Sequence, residues 1–460
     1  MNTDVRKFDG PLAGDLPSGI YSGGTGRSGG PRTDGFAAWM RERTKLDWLF
    51  ALVVLAGSGF IYARLAGWMD GYEKAILLGT APAVVLLAWY WRPLQLLILA
   101  LAASTTLTVT LYAGQIANAE QVFLLRSLFA SQSAILWMAA LFGMGTISYW
   151  IGLLGRSPTA SFVGTAVTWG ASFAGLHGLG ARWHESYLFG PDVGHVPVSN
   201  LYEVFVLFAV ITALFYLYYE ARYATRQLGG FVMLVVAASV GFLLWYTFDR
   251  QAHEIQPLVP ALQSWWMKLH VPANFIGYGT FALASMVGFA YLIKTHSQTT
   301  SLLKVAPLWA MGVLLAAEPF VFRKSGMPDY WAGYFAVVAL LVAGVIALRG
   351  RIGPALPSFE VLDDIMYKSI AIGFAFFTIA TILGALWAAD AWGAYWQWDP
   401  KETWALIVWL NYAAWLHMRL IKGLRGAVAA YWAIVGLLIT GFAFLGVNMF
   451  LSGLHSYGEL

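Results

Sequence analysis

Thirteen stretches of about 20 mostly apolar residues follow one another along this chain of 460 residues. A helix of about 20 apolar residues is long enough to cross the hydrocarbon core of a bilayer. The stretches are residues 47–66, 74–91, 93–113, 134–154, 159–178, 200–220, 230–248, 271–293, 305–322, 331–348, 369–389, 403–421 and 429–450. Only 11% of the residues are charged, whereas about a quarter are charged in a typical soluble protein. We therefore predict an all-α, polytopic integral membrane protein with about 13 transmembrane helices.

The basic residues in the loops predict the orientation of the helices. With the N-terminus in the cytoplasm, fifteen Lys and Arg residues fall in cytoplasmic loops and eight in outer loops. Cytoplasmic loops carry an excess of basic residues, so we predict a cytoplasmic N-terminus and a C-terminus outside. The net charge of +4 then reflects these loops and is no sign of nucleic-acid binding.

The chain contains no cysteine. It therefore has no disulfide, no thiolate metal site and no C-x-x-C-H motif, and it is not itself a covalently haemylated cytochrome. Residues 1–36 are polar and glycine-rich, without the charged and apolar regions of a cleavable signal peptide. We interpret residues 1–45 as a flexible cytoplasmic tail.

Residues 387–404, which we call the tryptophan segment, lie between the eleventh and twelfth apolar stretches, on the predicted outer side. Its tryptophans include four within thirteen residues, at positions 392, 396, 398 and 404. Indole rings anchor helices at membrane interfaces, but this density exceeds what anchoring needs, and a flat platform of indoles suggests a flat aromatic ligand. Asp399, Pro400 and Glu402 fit the N-cap, N1 and N3 positions of a capping box, so a helix should begin there.

Two histidines flank the tryptophan segment on the predicted outer face: His270, at the start of the eighth stretch, and His455, after the last. A single histidine at a helix end is commonly an interfacial polar residue, but two opposed imidazoles can hold a six-coordinate haem iron. His417 lies about 25 Å along the twelfth helix from Pro400, near the cytoplasmic side. An ionisable residue inside the membrane is a functional candidate; the alternative is a histidine hydrogen-bonded between helices.

The sequence WGAYWQWDPKETWALIVWLNYAAWLHMR, residues 392–419, resembles the signature of the WWD-domain haem-handling proteins. Within them it is similar to the CcsA (ResC) component of the system II cytochrome c synthase. Four further stretches agree with this resemblance: residues 194–203, residues 258–264 together with His270, residues 358–387 and residues 446–457. The match covers roughly residues 134–460, which we interpret as a haem-handling membrane domain preceded by additional spans at 46–133.

The resemblance implies a function in which the chain moves haem b outward, holds it in the ferrous state and allows apocytochrome c to attach it. The thiols of the apocytochrome C-x-x-C-H motif add across the haem vinyl groups, which would make the chain part of a lyase. It implies the following residue roles: His270 and His455 as outer axial ligands, His417 at an inner haem site, and Trp392, Gly393, Trp396, Trp398 and Asp399 as the haem-binding segment.

The resemblance also implies a membrane partner of the CcsB (ResB, Ccs1) type, which supplies the second ligand of the inner site. The spans before residue 134 and the hairpin at 305–348 are additional to shorter family members. Two other functions stay open at this point: a haem exporter or chaperone that presents haem without attaching it, and a structural membrane subunit of a respiratory complex. We expect the plasma (inner) membrane of a bacterium, with a plastid thylakoid as the second choice.

Overall fold

The computed structural model describes residues 39–321, 331–451 and 453. Within these ranges the chain is helical and contains no β-strand, which confirms the all-α fold class. We number the long helices as follows: α1 (Lys45–Leu65), α2 (Gly71–Tyr90), α3 (Pro93–Tyr112), α4 (Ser131–Gly155), α5 (Pro158–Phe189), α6 (Leu201–Arg222), α7 (Gly229–Arg250), α8 (Met267–Thr295), α9 (Leu302–Val321), α10 (Trp331–Ala347), α11 (Phe359–Trp392), α12 (Pro400–Lys422) and α13 (Gly426–Gly441). A π-helical turn, Phe442–Gly446, extends α13.

Each predicted apolar stretch overlaps one of these helices, although α5 and α11 are much longer than their stretches. Among the described residues, nine helices are long and apolar enough to cross a membrane, or ten if the bent pair Ala332–Ala347 and Arg349–Ala355 forms one span. The polytopic membrane architecture is thus confirmed. The number thirteen and the orientation of the termini stay predictions.

The chain divides into two compact units between Gln95 and Leu96. In the first unit, Asp47 accepts hydrogen bonds from Thr44 in the capping box of α1 and pairs with Arg92 at 2.9 Å. The second unit contains α3, apart from its first turn, and all of α4 to α13. The predicted division into residues 1–45, 46–133 and 134–460 stays a prediction.

Helix α8 is the most buried of the apolar helices in the second unit. Glycines allow its neighbours to approach closely: a Cβ on Gly277 would lie 3.2 Å from the side chain of Phe377 in α11, and one on Gly288 would lie 3.0 Å from the Ala430 carbonyl in α13. Small residues at such crossings are typical of helix packing in membranes. This packing places the first turns of α8 beside the second half of α11.

Helix α5 is longer than predicted, since it continues past residue 178 to Phe189. The predicted stretch 159–178 therefore ends before the helix does. The apolar run stops at Arg182 and Glu185, but both side chains are buried and paired, Arg182 with Glu203 and Glu185 with Tyr112. Paired polar groups can continue a buried helix where hydropathy alone predicts its end.

Candidate functional site

The tryptophan segment joins the end of α11 to the start of α12. Helix α11 ends at Trp392, and Gly393 follows with φ +80°, a left-handed conformation that glycine adopts without strain. Trp398 also has a positive φ, +56°. For a residue with a side chain this conformation costs on the order of 1–3 kcal/mol, and such strain is concentrated at ligand-binding sites.

The indole rings of this loop do not share one plane, and Trp398 is exposed whereas Trp392 and Trp396 are half-buried. Trp396 and Trp398 meet edge to face, with ring centroids 5.9 Å apart and an interplanar angle of 87°. Trp398 is 69% exposed and Tyr395 64% exposed. The expected flat platform is therefore wrong for this pair of rings. The loop instead exposes the rings of Tyr395 and Trp398, and such apolar surface needs a ligand, lipid or partner to cover it.

Helix α12 begins with the predicted capping box. The Asp399 carboxylate accepts the Lys401 N–H at 2.9 Å, and the Glu402 carboxylate accepts the N–H groups of Asp399 and Gln397. These hydrogen bonds confirm the predicted role of Asp399 as a helix cap, and its side chain is buried. The Glu402 carboxylate, by accepting the Gln397 N–H, ties the loop that carries Trp396 and Trp398 to the start of the same helix.

The C-terminal segment passes directly beside this cap. A Cβ on Gly453 would lie 2.2 Å from Oδ2 of Asp399 and 3.1 Å from the ring of Pro400, so only a glycine fits there without rearrangement. His455 follows two residues later and lies outside the described residues. The described part of the chain thus reaches the tryptophan segment just before His455.

His270 lies in the first turns of α8, half-buried against α11. Its Nδ1 is 2.8 Å from the carbonyl oxygen of Ala380, and its Nε2 is 2.8 Å from the amide nitrogen of Asn274. Trp387 approaches the imidazole edge to face, with centroids 5.6 Å apart. A histidine whose Nδ1–H is bound to a backbone carbonyl has the orientation and tautomer typical of a metal ligand.

A tryptophan pair before α8 connects His270 to the tryptophan segment. Trp265 and Trp266 stack with centroids 3.8 Å apart, and the indole N–H of Trp266 donates to the Asp390 carboxylate at 2.6 Å. Asp390 lies in the last turn of α11, two residues before Trp392, so this bond fixes the start of α8 to the end of α11. These residues were not predicted, although the Trp-Trp doublet upstream of His270 was a signal for them.

A buried polar cluster at the start of α6 includes His195 and Glu203 of the motif at residues 194–203, for which no role was predicted. Glu203, which is fully buried, pairs with Arg182 at 2.7 Å and lies 3.7 Å from Nε2 of His195. Arg182 also donates to the carbonyl oxygens of His253 and Glu254 in the loop before α8. The cluster thereby fixes two loops that the sequence predicts on the outer face.

Burial of the imidazole tends to lower the pKa of His195. The hydrogen bond from Nδ1 to the Val193 carbonyl and the interaction with the Glu203 carboxylate outweigh this effect, so the pKa of His195 is raised above its usual value. The charge of Arg182 opposes the rise. The cluster therefore favours a protonated His195 in the folded protein.

His417 lies on the opposite half of α12 from Asp399, and its side chain is exposed. Within the described part of the chain it makes no hydrogen bond or ion pair. Nearby, Arg419 forms a two-point ion pair with Asp363 of α11, at 2.9 and 2.5 Å. We considered that His417 could be hydrogen-bonded between helices, but the imidazole has no such partner among the described residues. It is open to lipid or to another molecule.

The chain is similar to known proteins over much of its length. The model of the cytochrome c assembly protein family matches residues 198–455. Cytochrome c biogenesis protein CcsA of Chlorella vulgaris is 33% identical over 319 residues, which are 68% of this chain and 92% of the relative. The proteins of the same name from Microcystis aeruginosa and Synechococcus elongatus are 36% identical over 290 residues and 35% identical over 319 residues. These alignments cover 61% and 68% of this chain and 82% and 92% of the relatives.

Proposed function

The chain belongs to the cytochrome c assembly protein family, and from this premise we propose that it is the haem-binding subunit of cytochrome c biogenesis. In this function it brings haem to the outer membrane face and holds it for attachment to apocytochrome c. The resemblance found in the sequence is confirmed by the family match. The observation that carries the proposal is the geometry of His270, whose Nδ1–H is bound to the Ala380 carbonyl beside the tryptophan segment.

We propose His270 and His455 as the two outer axial ligands. The close approach of Gly453 to Asp399 supports this pairing, because it brings the C-terminal segment to the start of α12. The exposed rings of Tyr395 and Trp398 supply apolar surface that a macrocycle can cover, with Trp392, Gly393 and Trp396 forming the rest of the binding segment. Asp399 contributes by fixing the loop through its cap.

The proposed reaction adds two thiols to two vinyl groups. Each S–H bond breaks, the sulfur bonds to one vinyl carbon and the hydrogen goes to the other, so no net oxidant or reductant is consumed. Both thiols belong to the apocytochrome, in keeping with a chain that has no cysteine. The protein contributes mainly by holding ferrous haem b and the C-x-x-C-H motif together, an effect that can lower a barrier by several kcal/mol.

We propose that haem first binds at an inner site that includes His417. The exposed imidazole and its lack of a partner among the described residues support this role. A membrane subunit of the CcsB (ResB, Ccs1) type would supply the second ligand, and the lyase activity would depend on that subunit. We place the complex in the plasma membrane of a bacterium, with the thylakoid membrane as the alternative.

A haem exporter that only presents its cargo is the second candidate function, because an aromatic haem-binding loop serves both tasks. Co-expression of the chain and its partner subunit with a c-type apocytochrome separates the two functions. A synthase yields haem that stays attached to the cytochrome after denaturation, whereas an exporter yields none without a further protein.

The outer site is tested with the double variant His270→Ala/His455→Ala, purified with the partner subunit. We expect the visible spectrum of the wild type to show reduced haem with two imidazole ligands and that of the variant to show oxidised haem or a loss of haem. A pyridine haemochrome assay quantifies the haem in both. A fully reduced, bis-imidazole spectrum in the double variant would refute the assignment of these two ligands.

A further inference from the structure

The side-chain amide of Asn274 is hydrogen-bonded to Nε2 of His270, the nitrogen that would bind iron in the proposed function. A carbonyl oxygen can only accept a hydrogen bond, so Nδ1 of His270 carries the ring proton and donates it to Ala380. Nε2 of the neutral ring then has a free electron pair, which accepts the N–H of the Asn274 amide at 2.8 Å. Iron needs this same electron pair.

The imidazole itself has little room to move away from Asn274. A Cβ on Gly384 would lie 2.8 Å from Cε1 and 3.1 Å from Nδ1, so the ring packs directly on the backbone of α11. The indole of Trp387 closes another side. The ring is therefore held by α11, independently of its contact with Asn274.

Asn274 is the movable partner in this pair. It is half-buried, and its hydrogen bond to His270 is the one its side chain makes within the described residues. It lies one helical turn beyond His270 on α8, so a rotation about its own side-chain torsions can expose Nε2 without moving either helix. No other hydrogen bond of the amide within the described residues has to break.

We propose that Asn274 is a positioning residue that caps the iron-binding nitrogen of His270 in the haem-free protein and is displaced when haem binds. This inference rests on the proposed function, in which His270 is an outer axial ligand. The cap stabilises the haem-free side chain, so it slows the capture of haem. It thereby lowers the affinity for haem without changing the dissociation rate, because the amide returns to Nε2 only after the histidine of the apocytochrome has replaced His270 on the iron.

The test compares Asn274→Leu, which removes the donor and keeps the size of the side chain, with Tyr278→Phe. Tyr278 lies on the same helix one turn further on, and its hydroxyl makes no hydrogen bond among the described residues, so its removal is a matched control. Both variants are prepared full-length with the partner subunit and without haem. Asn274→Ala serves as a second variant if the leucine prevents folding.

The first readout needs no haem. Diethyl pyrocarbonate attacks an unprotonated imidazole nitrogen, and peptide mapping by mass spectrometry reports the labelling rate of His270. Loss of one hydrogen bond to the electron pair should raise this rate roughly 2- to 10-fold in Asn274→Leu and leave it unchanged in Tyr278→Phe. An unchanged rate in Asn274→Leu would mean that no cap exists and would overturn the proposal.

The second readout is stopped-flow absorbance after mixing with ferrous haem b. We expect association to accelerate in Asn274→Leu by a similar factor, with dissociation unchanged, because the cap is absent from the haem-bound state. Faster dissociation without faster association would indicate a packing role and overturn the proposal. Faster labelling, with haem binding unchanged in both Asn274→Leu and His270→Ala, would instead show that His270 is no haem ligand, so the proposed function of this site would fail.

Discussion

Gly384 leaves the space that the imidazole of His270 fills. A Cβ at this position would lie 2.8 Å from Cε1 of the ring, so Gly384→Ala must displace the histidine or separate α8 from α11. Overpacking of this kind costs about 1–3 kcal/mol. We expect the variant to lose the bis-imidazole absorption of the outer haem while it keeps the haem that depends on His417.

Visible spectroscopy of the purified complex measures this effect. Gly241→Ala is the matched control, because a Cβ at Gly241 of α7 meets no atom within 4 Å. If both variants kept the wild-type spectrum, the position of the imidazole would have no influence on ligation, and His270 would lose its assigned role.

The histidine could be predicted from the sequence, but its environment could not. His270 was recognisable by its residue type and by its place in a motif before an apolar stretch. Its hydrogen-bond acceptor is the backbone carbonyl of Ala380, which is 110 positions away and which any residue could supply. The restriction to glycine at 384 likewise arises from helix packing. Asp399 was easier to predict, since a helix cap is determined by residues next to it in sequence.

At the scale of elements, hydropathy located every long helix but missed the start of α11, which is Phe359 and not residue 369, and the end of α5, which is Phe189 and not residue 178. The capping box at Asp399 gave the start of α12, whereas α5 extends past its apolar run because buried Arg182 and Glu185 are paired. Tyr112 of α3 donates to Glu185 at 2.5 Å. The last of the three additional spans therefore forms part of the second unit, a relation that hydropathy does not reveal.

The loop between α5 and α6 should make stability depend on pH through His195. The pKa of His195 is raised in the folded protein. Its contribution to the free energy of unfolding is therefore fully present below the pKa of the unfolded state, about 6.5, and is lost as the pH rises through the pKa of the folded state. We expect His195→Gln to destabilise the protein by about 1 kcal/mol at low pH and by progressively less as the pH rises.

Thermal unfolding in detergent between about pH 5 and pH 8 measures this difference. His296, beyond the C-terminal end of α8, is a control of opposite sign: burial and then the charges of Arg349 and Lys304 lower its pKa. The contribution of His296 to stability should be present above about pH 6.5 and lost as the pH falls. A destabilisation by His195→Gln that did not vary with pH would contradict the role of the ion pair with Glu203.

At the scale of the whole molecule, α12 links the two proposed haem sites. Its first turn, capped by Asp399, supports the tryptophan segment, and its other half carries His417 about 25 Å away. The ion pair between Arg419 and Asp363 fixes this second half to α11. The sequence predicted this arrangement because a single helix places its residues at known distances. It could not predict that the side chain of His417 would be exposed, because exposure depends on which neighbours pack against α12.

If haem reaches the outer site by way of His417, the two sites should respond differently to mutation. We expect His417→Ala to lower the total haem that co-purifies with the complex several-fold, since both sites are filled from the inner one. His270→Ala should instead change the spectrum of the haem and leave much of the inner haem in place. His296→Ala, a change of the same kind on the predicted cytoplasmic side, is the matched control. A pyridine haemochrome assay of the three variants measures the haem bound per protein. An unchanged haem content in His417→Ala would mean that haem enters the outer site without this histidine.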